Sequence, residues 1–208
     1  MSFPISPVTD PACTALLTVE LQTNRVGETA NGPLAVSARG VLPAIHRLVA
    51  SAREVGVPVA HCLKMARRDA LGRNTNVMLY KLRGQIPAEP LPPDNEPVDG
   101  TELIASLGPD VRDLLFTRLH GMSPVCDTGV DPVLRTLNIK NVIVVGISAN
   151  IAIPNSVMDL ANRGYEVVVP RDAIAGTPAG YTDAIVEHTI RMLATVTTTE
   201  AIIEAWTQ

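Results

Sequence analysis

The chain has 208 residues, is 46% hydrophobic and carries a formal net charge of −4 with a pI near 5.5, which predicts one domain over residues 1–208 with a sizeable core. The acidic balance argues against a nucleic-acid partner, because nucleic-acid-binding domains of this size usually present a basic face. No apolar run approaches the roughly 18 residues that a membrane-spanning helix needs, so we expect no membrane partner.

The opening residues and the cysteines indicate a cytoplasmic protein. Proline residues punctuate residues 1–13, which predicts an extended N-terminal arm without the pattern of a secretory leader. The three cysteines, Cys13, Cys62 and Cys126, are widely spaced and form no C-x-x-C pair. An odd number of separated cysteines is typical of a reducing compartment.

Short apolar, β-branched runs alternate with longer segments of helical period. Strands are predicted at 14–21, 57–63, 113–118, 141–147, 165–170 and, from a weaker pattern, 193–198. Helices are predicted at about 38–56, 128–137, 152–163 and 181–192. The near-continuous hydrophobicity of the strands indicates burial of both faces. We therefore expect an α/β fold, a three-layer α-β-α sandwich with a mainly parallel, Rossmann-like sheet of about six strands.

The segment 64–100 interrupts this alternation. It contains the run PAEPLPPDNEPVDG and shows no convincing period, which predicts a long lid or a subunit-contact arm. The run NVMLYKL within it carries enough apolar surface to require a partner. A loosely basic stretch in the same segment is interpreted as a solvated loop rather than an anion site. It comprises Arg67, Arg68, Arg73, Lys81 and Arg83.

Polar side chains follow the first and third strands. Glu20, Gln22 and Asn24 come after the first strand, and Arg118 and His120 end or follow the third. In a parallel sheet these positions meet at one edge, where ligands bind. Glu20 and Arg118 are either a strand-end ion pair or a functional pair in one crevice. His120 is either a proton carrier or an exposed loop residue.

The stretch SANIAIP joins the strand at 141–147 to the helix at 152–163. Such a junction points backbone N–H groups and the positive end of the helix into the crevice, where they hold an anion. Asn150 and Ile151 lie in the turn, and Pro154 suits the first helical turn. The residue that opens the helix, Ala152, carries only a methyl group and supplies no nucleophile.

These runs together resemble the isochorismatase-like hydrolases, the superfamily of cysteine hydrolases that includes nicotinamidases, N-carbamoylsarcosine amidases and isochorismatases. The likeness extends from Thr14 to Trp206 and rests on the order and spacing of its parts. They are TALLTVELQTN, DLLFTRLHGMSPVCDTGVDPVLRTLNIKNVIVVGI, GYEVVVPRDAIAG and ATVTTTEAIIEAW. The resemblance implies an isochorismatase-like fold and a homo-oligomer, either a dimer or a tetramer.

The resemblance places the family's catalytic Asp, Lys and Cys on Glu20, Arg118 and Ala152, and an Asp of the helix motif on Asn150. Glu20 keeps the carboxylate with one more methylene group. Arg118 keeps the charge but does not exchange protons near neutral pH. Ala152 cannot make the covalent attack of a cysteine, so we expect no cysteine-dependent amidase activity.

We expect neither a metal nor another cofactor. The metal motif of the family's nicotinamidases, Asp-x-His-x-x-x-His, is missing from HCLKMARRDALG after the second strand. Cys126 is the remaining candidate for a thiol near the pocket mouth, but its loop provides no helix N-terminus to lower the thiol pKa. Cys62, inside the second strand, is interpreted as a small buried hydrophobe.

Two functions remain open. The favoured one is hydrolysis of a small, carboxylate-bearing molecule without a cysteine nucleophile. In the vinyl-ether reaction that the resemblance attributes to true isochorismatases, Glu20 protonates the enol carbon and Arg118 anchors a substrate carboxylate. The residues then expected to contact substrate are Gln22, Asn24, His120, Asn150 and Ile151. The alternative is a catalytically silent relative that binds a small ligand or a protein partner.

Overall fold

The sheet is parallel throughout and places β1 at its centre. The computed structural model describes residues 9–108 and 110–207. The strands run in the order β3-β2-β1-β4-β5-β7. The short β6 pairs with the last two residues of β4, past the part of β4 that pairs with β5. They are β1 Thr14–Val19, β2 Val59–Lys64, β3 Leu114–Arg118, β4 Asn141–Ile147, β5 Glu166–Pro170, β6 Ile174–Ala175 and β7 Thr195–Thr197. The predicted α/β fold is confirmed, with a seventh, two-residue strand added.

Helices cover both faces of the sheet. They are α1 Thr23–Val26, α2 Pro33–Glu54, α3 Met78–Leu82, α4 Val130–Thr136, α5 Ala152–Asn162, α6 Ala179–His188 and α7 Thr199–Trp206. Successive residues of β1 face opposite sides, so Leu16 packs in the cluster of α2 and α7, and Leu17 in that of α4 and α5. This alternation gives the two cores of a three-layer sandwich. No helix of the described residues is long and apolar enough to cross a membrane.

The N-terminal arm differs from the expectation over its described part. Residues 1–8 lie outside the described residues. Pro11–Cys13 form a 3-10 turn rather than extended chain, and the Asp10 carboxylate accepts a hydrogen bond from the Ala12 N–H at 3.0 Å. Thr9 is buried, and its carbonyl accepts a bond from the Trp206 indole N–H at 2.6 Å. This contact ties the start of the described chain to α7.

Gly146 allows β1 and β4 to approach closely at the carboxyl end of β1, just before Glu20. A Cβ atom at this position would lie 2.3 Å from the Val19 carbonyl oxygen, and the backbone φ of 111° disfavours any L side chain. Val19 pairs directly with Gly146 and is followed by Glu20. The absence of a side chain here is therefore a requirement for the placement of the Glu20 carboxylate.

We predict that Gly146→Ala destabilises the fold by about 2–4 kcal/mol or prevents folding, because strain and a backbone clash act together. Gly40→Ala is the matched control. Gly40 lies inside α2, and a Cβ atom added there would meet nothing within 4 Å, so alanine should raise stability by up to about 1 kcal/mol. Urea unfolding of both variants measures the difference. Equal stabilities of the two variants would contradict this account.

Candidate active site

A cavity of about 650 Å³ opens at the carboxyl ends of β1, β2 and β4. Its wall includes Glu20 after β1, Lys64 at the end of β2, and four residues after β4, which are Ser148, Asn150, Ile151 and Ala152. Residues from the 64–100 segment supply the opposite wall, and α3 contributes Leu79 and Tyr80. The segment predicted as a lid or contact arm thus lines a cavity, while Met78 and Leu82 of its apolar run are exposed.

Two guanidinium groups hold the Glu20 carboxylate at the cavity wall. Arg118 Nη2 donates to Glu20 Oε1, and Arg25 Nη1 lies 3.1 Å from Glu20 Oε2. The backbone of Glu20 adopts φ 55° and its N–H donates to the Cys62 carbonyl at 2.9 Å. Glu20 is thus a member of a strand-end ion pair and also lines the cavity, and the functional interpretation of the pair stays a prediction.

Arg118 lies beneath this carboxylate rather than in the cavity wall. Its side chain is 6% exposed, and its Nε and Nη1 atoms have no hydrogen-bond partner among the described residues. The expectation that Arg118 anchors a substrate carboxylate therefore meets an obstacle, because its guanidinium is bound to Glu20 and does not line the cavity. Arg25, which lines the cavity, is the guanidinium placed to meet a ligand.

Lys64 is a wall residue that the sequence interpretation did not select. It is buried, pairs in register with Arg118, and donates from Nζ to the Leu119 carbonyl at 2.6 Å. Burial first, and then the positive charge of Arg118, lower the pKa of the Lys64 ammonium to about 8 against the opposing effect of Glu20. The signal in the sequence was its position directly after the second predicted strand.

Gln22 positions Lys64 and does not line the cavity. Its Oε1 accepts the Lys64 N–H at 2.8 Å, and its Nε2 donates to the carbonyls of Lys64 and Thr101, both at 2.9 Å. Gln22 is fully buried, so its amide is committed to backbone groups. Asn24 does line the cavity, and its Nδ2 donates to the Asp99 carbonyl at 3.2 Å.

The N-terminus of α5 reaches the cavity through Ala152, with Asn150 and Ile151 beside it. The amides of Ile151 and Ile153 both donate to the Ser148 carbonyl at 3.1 Å, and only the Ala152 amide of the three lacks a partner in the described chain. The predicted anion-binding turn therefore keeps only some of its N–H groups free, and that of Ala152 is one of them. Asn150 is held by the Thr177 backbone, accepting from its N–H at 2.9 Å and donating to its carbonyl at 2.7 Å.

The cysteine side chains lie outside the cavity wall. Cys62 is buried in β2, and burial raises the pKa of its thiol to about 12. Cys126 is exposed on a loop, where desolvation and then the Asp127 carboxylate raise its thiol pKa. Cys13 precedes β1 at the opposite end of the strand from Glu20. Across residues 9–108 and 110–207, no thiol is thus placed to attack a ligand in the cavity.

His120 is an exposed loop residue, which is one of the two interpretations that the sequence left open, and part of the basic stretch lies at the cavity. His120 Nε2 lies 3.1 Å from Asn74 Nδ2, and the ring is exposed outside the cavity wall. Three members of the basic stretch, which was interpreted as a solvated loop, line the cavity. These are Arg67, Arg73 and Arg83.

A row of hydrogen-bonded polar side chains, separate from the ion pairs of Glu20, lies inside the sheet. Thr18 Oγ1 is 2.7 Å from His61 Nδ1, and His61 Nε2 is 3.1 Å from an Asp113 oxygen, which also pairs with Arg53. The order of hydroxyl, imidazole and carboxylate matches that of a nucleophilic triad. Thr18 is fully buried and none of these groups lines the cavity, so the chain satisfies buried polar atoms instead. In the described residues no cluster of three or more His, Cys, Asp or Glu side chains is placed to hold a metal ion.

Comparison with known proteins gives a family match and many structural neighbours. The sequence model of the isochorismatase domain matches residues 14–201. No curated protein sequence gives a significant match. A cysteine hydrolase from Pseudomonas syringae superposes with a TM-score of 0.81 at 24% identity, covering 99% of this chain and 95% of its own.

Two further neighbours are similar in fold. An isochorismatase family protein from Desulfovibrio vulgaris gives a TM-score of 0.76 at 23% identity, covering 94% of this chain and 98% of its own. An N-carbamoylsarcosine amidase from Thermoplasma acidophilum gives 0.69 at 19% identity, covering 90% and 97%. At these identities the likeness establishes the fold. The match of the isochorismatase domain model confirms the superfamily expected from the sequence.

Lys64 should leave a measurable pH dependence in stability. Its folded-state pKa of about 8 lies below the usual 10.5, so the unfolded chain binds more protons between these values and stability rises with pH across that window. Above pH 10.5 Lys64 is neutral in both the folded and the unfolded chain and costs no stability. As the pH falls toward 8, the free energy of unfolding decreases, because the unfolded chain takes up the proton more readily than the folded one. Lys64→Met removes this effect.

We expect Lys64→Met to be more stable than the parent protein at pH 7 by about 1–2 kcal/mol, a value reduced for solvent screening, with the advantage disappearing toward pH 10.5. Denaturant unfolding of both proteins from pH 6 to 10.5 provides the measurement. Lys140→Met, at an exposed position, is the control and should show no such trend. A pH-independent difference for Lys64→Met would contradict the lowered pKa.

Proposed function

The chain belongs to the isochorismatase domain family, and we propose that within it the protein is a hydrolase of a small anionic molecule that works without a cysteine nucleophile. The proposal rests on two side chains that line the cavity. Ala152 contributes a methyl group at the N-terminus of α5, and the Glu20 carboxylate lines the same cavity. A carboxylate able to carry a proton thus lines the cavity, and the helix N-terminus offers no thiol for covalent attack.

Vinyl-ether hydrolysis fits this combination of residues. A protonated Glu20 gives its proton to the terminal carbon of the enol ether, and an oxocarbenium ion forms. Water adds to that ion and returns a proton to the Glu20 carboxylate, which leaves a hemiketal and restores the acid. The hemiketal then breaks its C–O bond, and a proton moves from its hydroxyl to the departing oxygen, which gives a carbonyl compound and an alcohol. The guanidinium groups of Arg25 and Arg118 stabilise the carboxylate that exists between the two transfers. No covalent bond to the protein is required.

The charges of the wall support an anionic substrate. Five cationic side chains face the cavity against the single carboxylate of Glu20, although the whole chain carries a net charge of −4. They are Arg25, Lys64, Arg67, Arg73 and Arg83. Asp69 compensates Arg67, and Glu20 compensates Arg25. The excess of positive charge raises the local concentration of a small anion such as a carboxylate.

The double ion pair of Glu20 also gives weight to the catalytically silent alternative. Both carboxylate oxygens contact a guanidinium group, as they would in a purely structural ion pair. Turnover separates the two functions, because a silent binder takes up the anion and leaves it unchanged.

We predict that a panel of small anionic enol ethers, esters and amides contains a substrate, and that Glu20→Gln lowers its kcat by about 10²-fold or more, since the proton carrier is removed. Glu166→Gln, an exposed change at the amino end of β5, should leave kcat within twofold. Product formation followed by mass spectrometry measures both. Full activity of Glu20→Gln excludes the proton-transfer role, and calorimetric binding without consumption of any compound favours the silent binder.

Restoring the thiol alone should not create an amidase. In Ala152→Cys the new side chain lies at the helix N-terminus, but Arg118 cannot replace the proton exchange of a lysine, and Glu20 is longer than an aspartate. We expect amide turnover to remain at the background level of the parent protein. Amide hydrolysis by Ala152→Cys, measured as ammonia release, at more than about tenfold above background would contradict the importance assigned to the other two positions.

A further inference from the structure

Lys64 has the surroundings of a reactive amine rather than of a surface cation. Its side chain lines the cavity but is buried from bulk solvent, and its only hydrogen bond from Nζ within the described chain goes to the Leu119 carbonyl. No carboxylate forms an ion pair with it there. An ammonium without a counter-ion in a desolvated place is disfavoured relative to the neutral amine.

Most of the charged groups around Lys64 favour its neutral form. Arg118 on β3, Arg25 on α1 and Arg73 in the covering segment disfavour its protonation, and Glu20 after β1 is the one group that opposes them. Glu20 is itself engaged by Arg118 and Arg25, which weakens this opposition. Lysines become nucleophiles in proteins through desolvation or through neighbouring cations, and both causes act here.

The geometry leaves the nitrogen usable. A neutral amine retains N–H groups, so it can keep its bond to the Leu119 carbonyl while its lone pair is free. Gln22 fixes the Lys64 backbone from both sides, which limits the freedom of the side chain at its base. The Lys64 amine therefore has a defined position in the cavity wall.

We propose that Lys64 is a covalent binding site for small anionic carbonyl compounds, such as α-keto acids and aldehyde acids, which it takes up as an imine. Nζ attacks the carbonyl carbon, a C–N bond forms, and the carbonyl oxygen receives a proton. The carbinolamine then loses water and a C=N bond remains, so the overall change is amine plus carbonyl to imine plus water. The cations of the wall, Arg25 and Arg73 among them, attract the carboxylate of such a ligand.

The chain offers internal controls for a chemical test. It contains three lysines, and the other two, Lys81 and Lys140, are exposed. Glyoxylate with sodium cyanoborohydride converts an imine into a stable carboxymethyl amine, because the reagent delivers a hydride to the C=N carbon. Peptide mass spectrometry then locates the label and separates it from any label on the N-terminal amine.

At pH 8 we expect Lys64 to be labelled at least about tenfold faster than Lys81 and Lys140, because an exposed lysine ordinarily stays protonated at this pH. Labelling of Lys64 should rise with pH and level off above about 8. Lys64→Arg keeps the charge and should lose the fast label, whereas Lys81→Arg should keep it. Equal labelling of the three lysines, or an unlabelled Lys64, overturns the proposal.

The preference for an anion has its own test. Arg73→Gln should slow glyoxylate labelling of Lys64 at least about threefold, while Arg112→Gln, far along the surface in an ion pair with Asp110, should leave it unchanged. An unchanged rate in Arg73→Gln overturns the anion preference. These measurements do not require hydrolytic turnover, so the fast label stands or falls independently of the proposed hydrolase activity.

Discussion

The charge pairing of Glu20 with Arg118 organises the site, because it joins the carboxyl ends of β1 and β3 across β2. Strand order puts β2 between them, so the pair spans the end of the strand that carries Lys64. Gly146 makes the approach of β4 to β1 possible just before Glu20, and the Glu20 N–H is bonded to the carbonyl of Cys62 in β2. The carboxylate is therefore positioned by three neighbouring strands at once.

This pairing also determines which cations meet a ligand. Arg118 is bound to Glu20 and does not line the cavity, whereas Lys64 and Arg25 do. The protein is acidic overall, so the cationic wall is a local arrangement that the net charge conceals. With Ala152 at the helix N-terminus, the site combines a carboxylate, a desolvated amine and several guanidinium groups, and it has no thiol in reach within the described residues. Such a set suits proton transfer and anion binding.

The sequence predicted the sheet well because hydrophobic runs of parallel strands are a local property. The strand from Asn141 to Ile147 and the helix beginning at Ala152 were predicted to the residue, and Glu20 and Ala152 were placed together by the rule that strand ends meet. The helix α7 was missed, although Thr198 caps it by accepting the Ala201 N–H. Its short apolar pattern competed with a β-branched run directly before it.

The cationic wall could not be derived in the same way, because charge placement depends on how the 64–100 segment folds back. Arg67 and Arg68 are adjacent in sequence, yet Arg67 lines the cavity and Arg68 pairs with Asp99 elsewhere. No period or spacing distinguishes the two. Likewise, Gln22 and Asn24 are both polar residues after β1, but only contacts with Lys64 and Thr101 show that Gln22 serves the backbone.

The central claim is that hydrolysis proceeds without a thiol, and a cysteine-free protein tests it most directly. Cys13→Ser, Cys62→Ala and Cys126→Ser together remove every cysteine of the chain. Steady-state kinetics on the substrate that the panel identifies should give a kcat within about threefold of the parent protein, provided that the melting temperature shows a folded variant. A loss of about 10²-fold or more in a folded cysteine-free protein would contradict the account, because a thiol would then take part in the reaction.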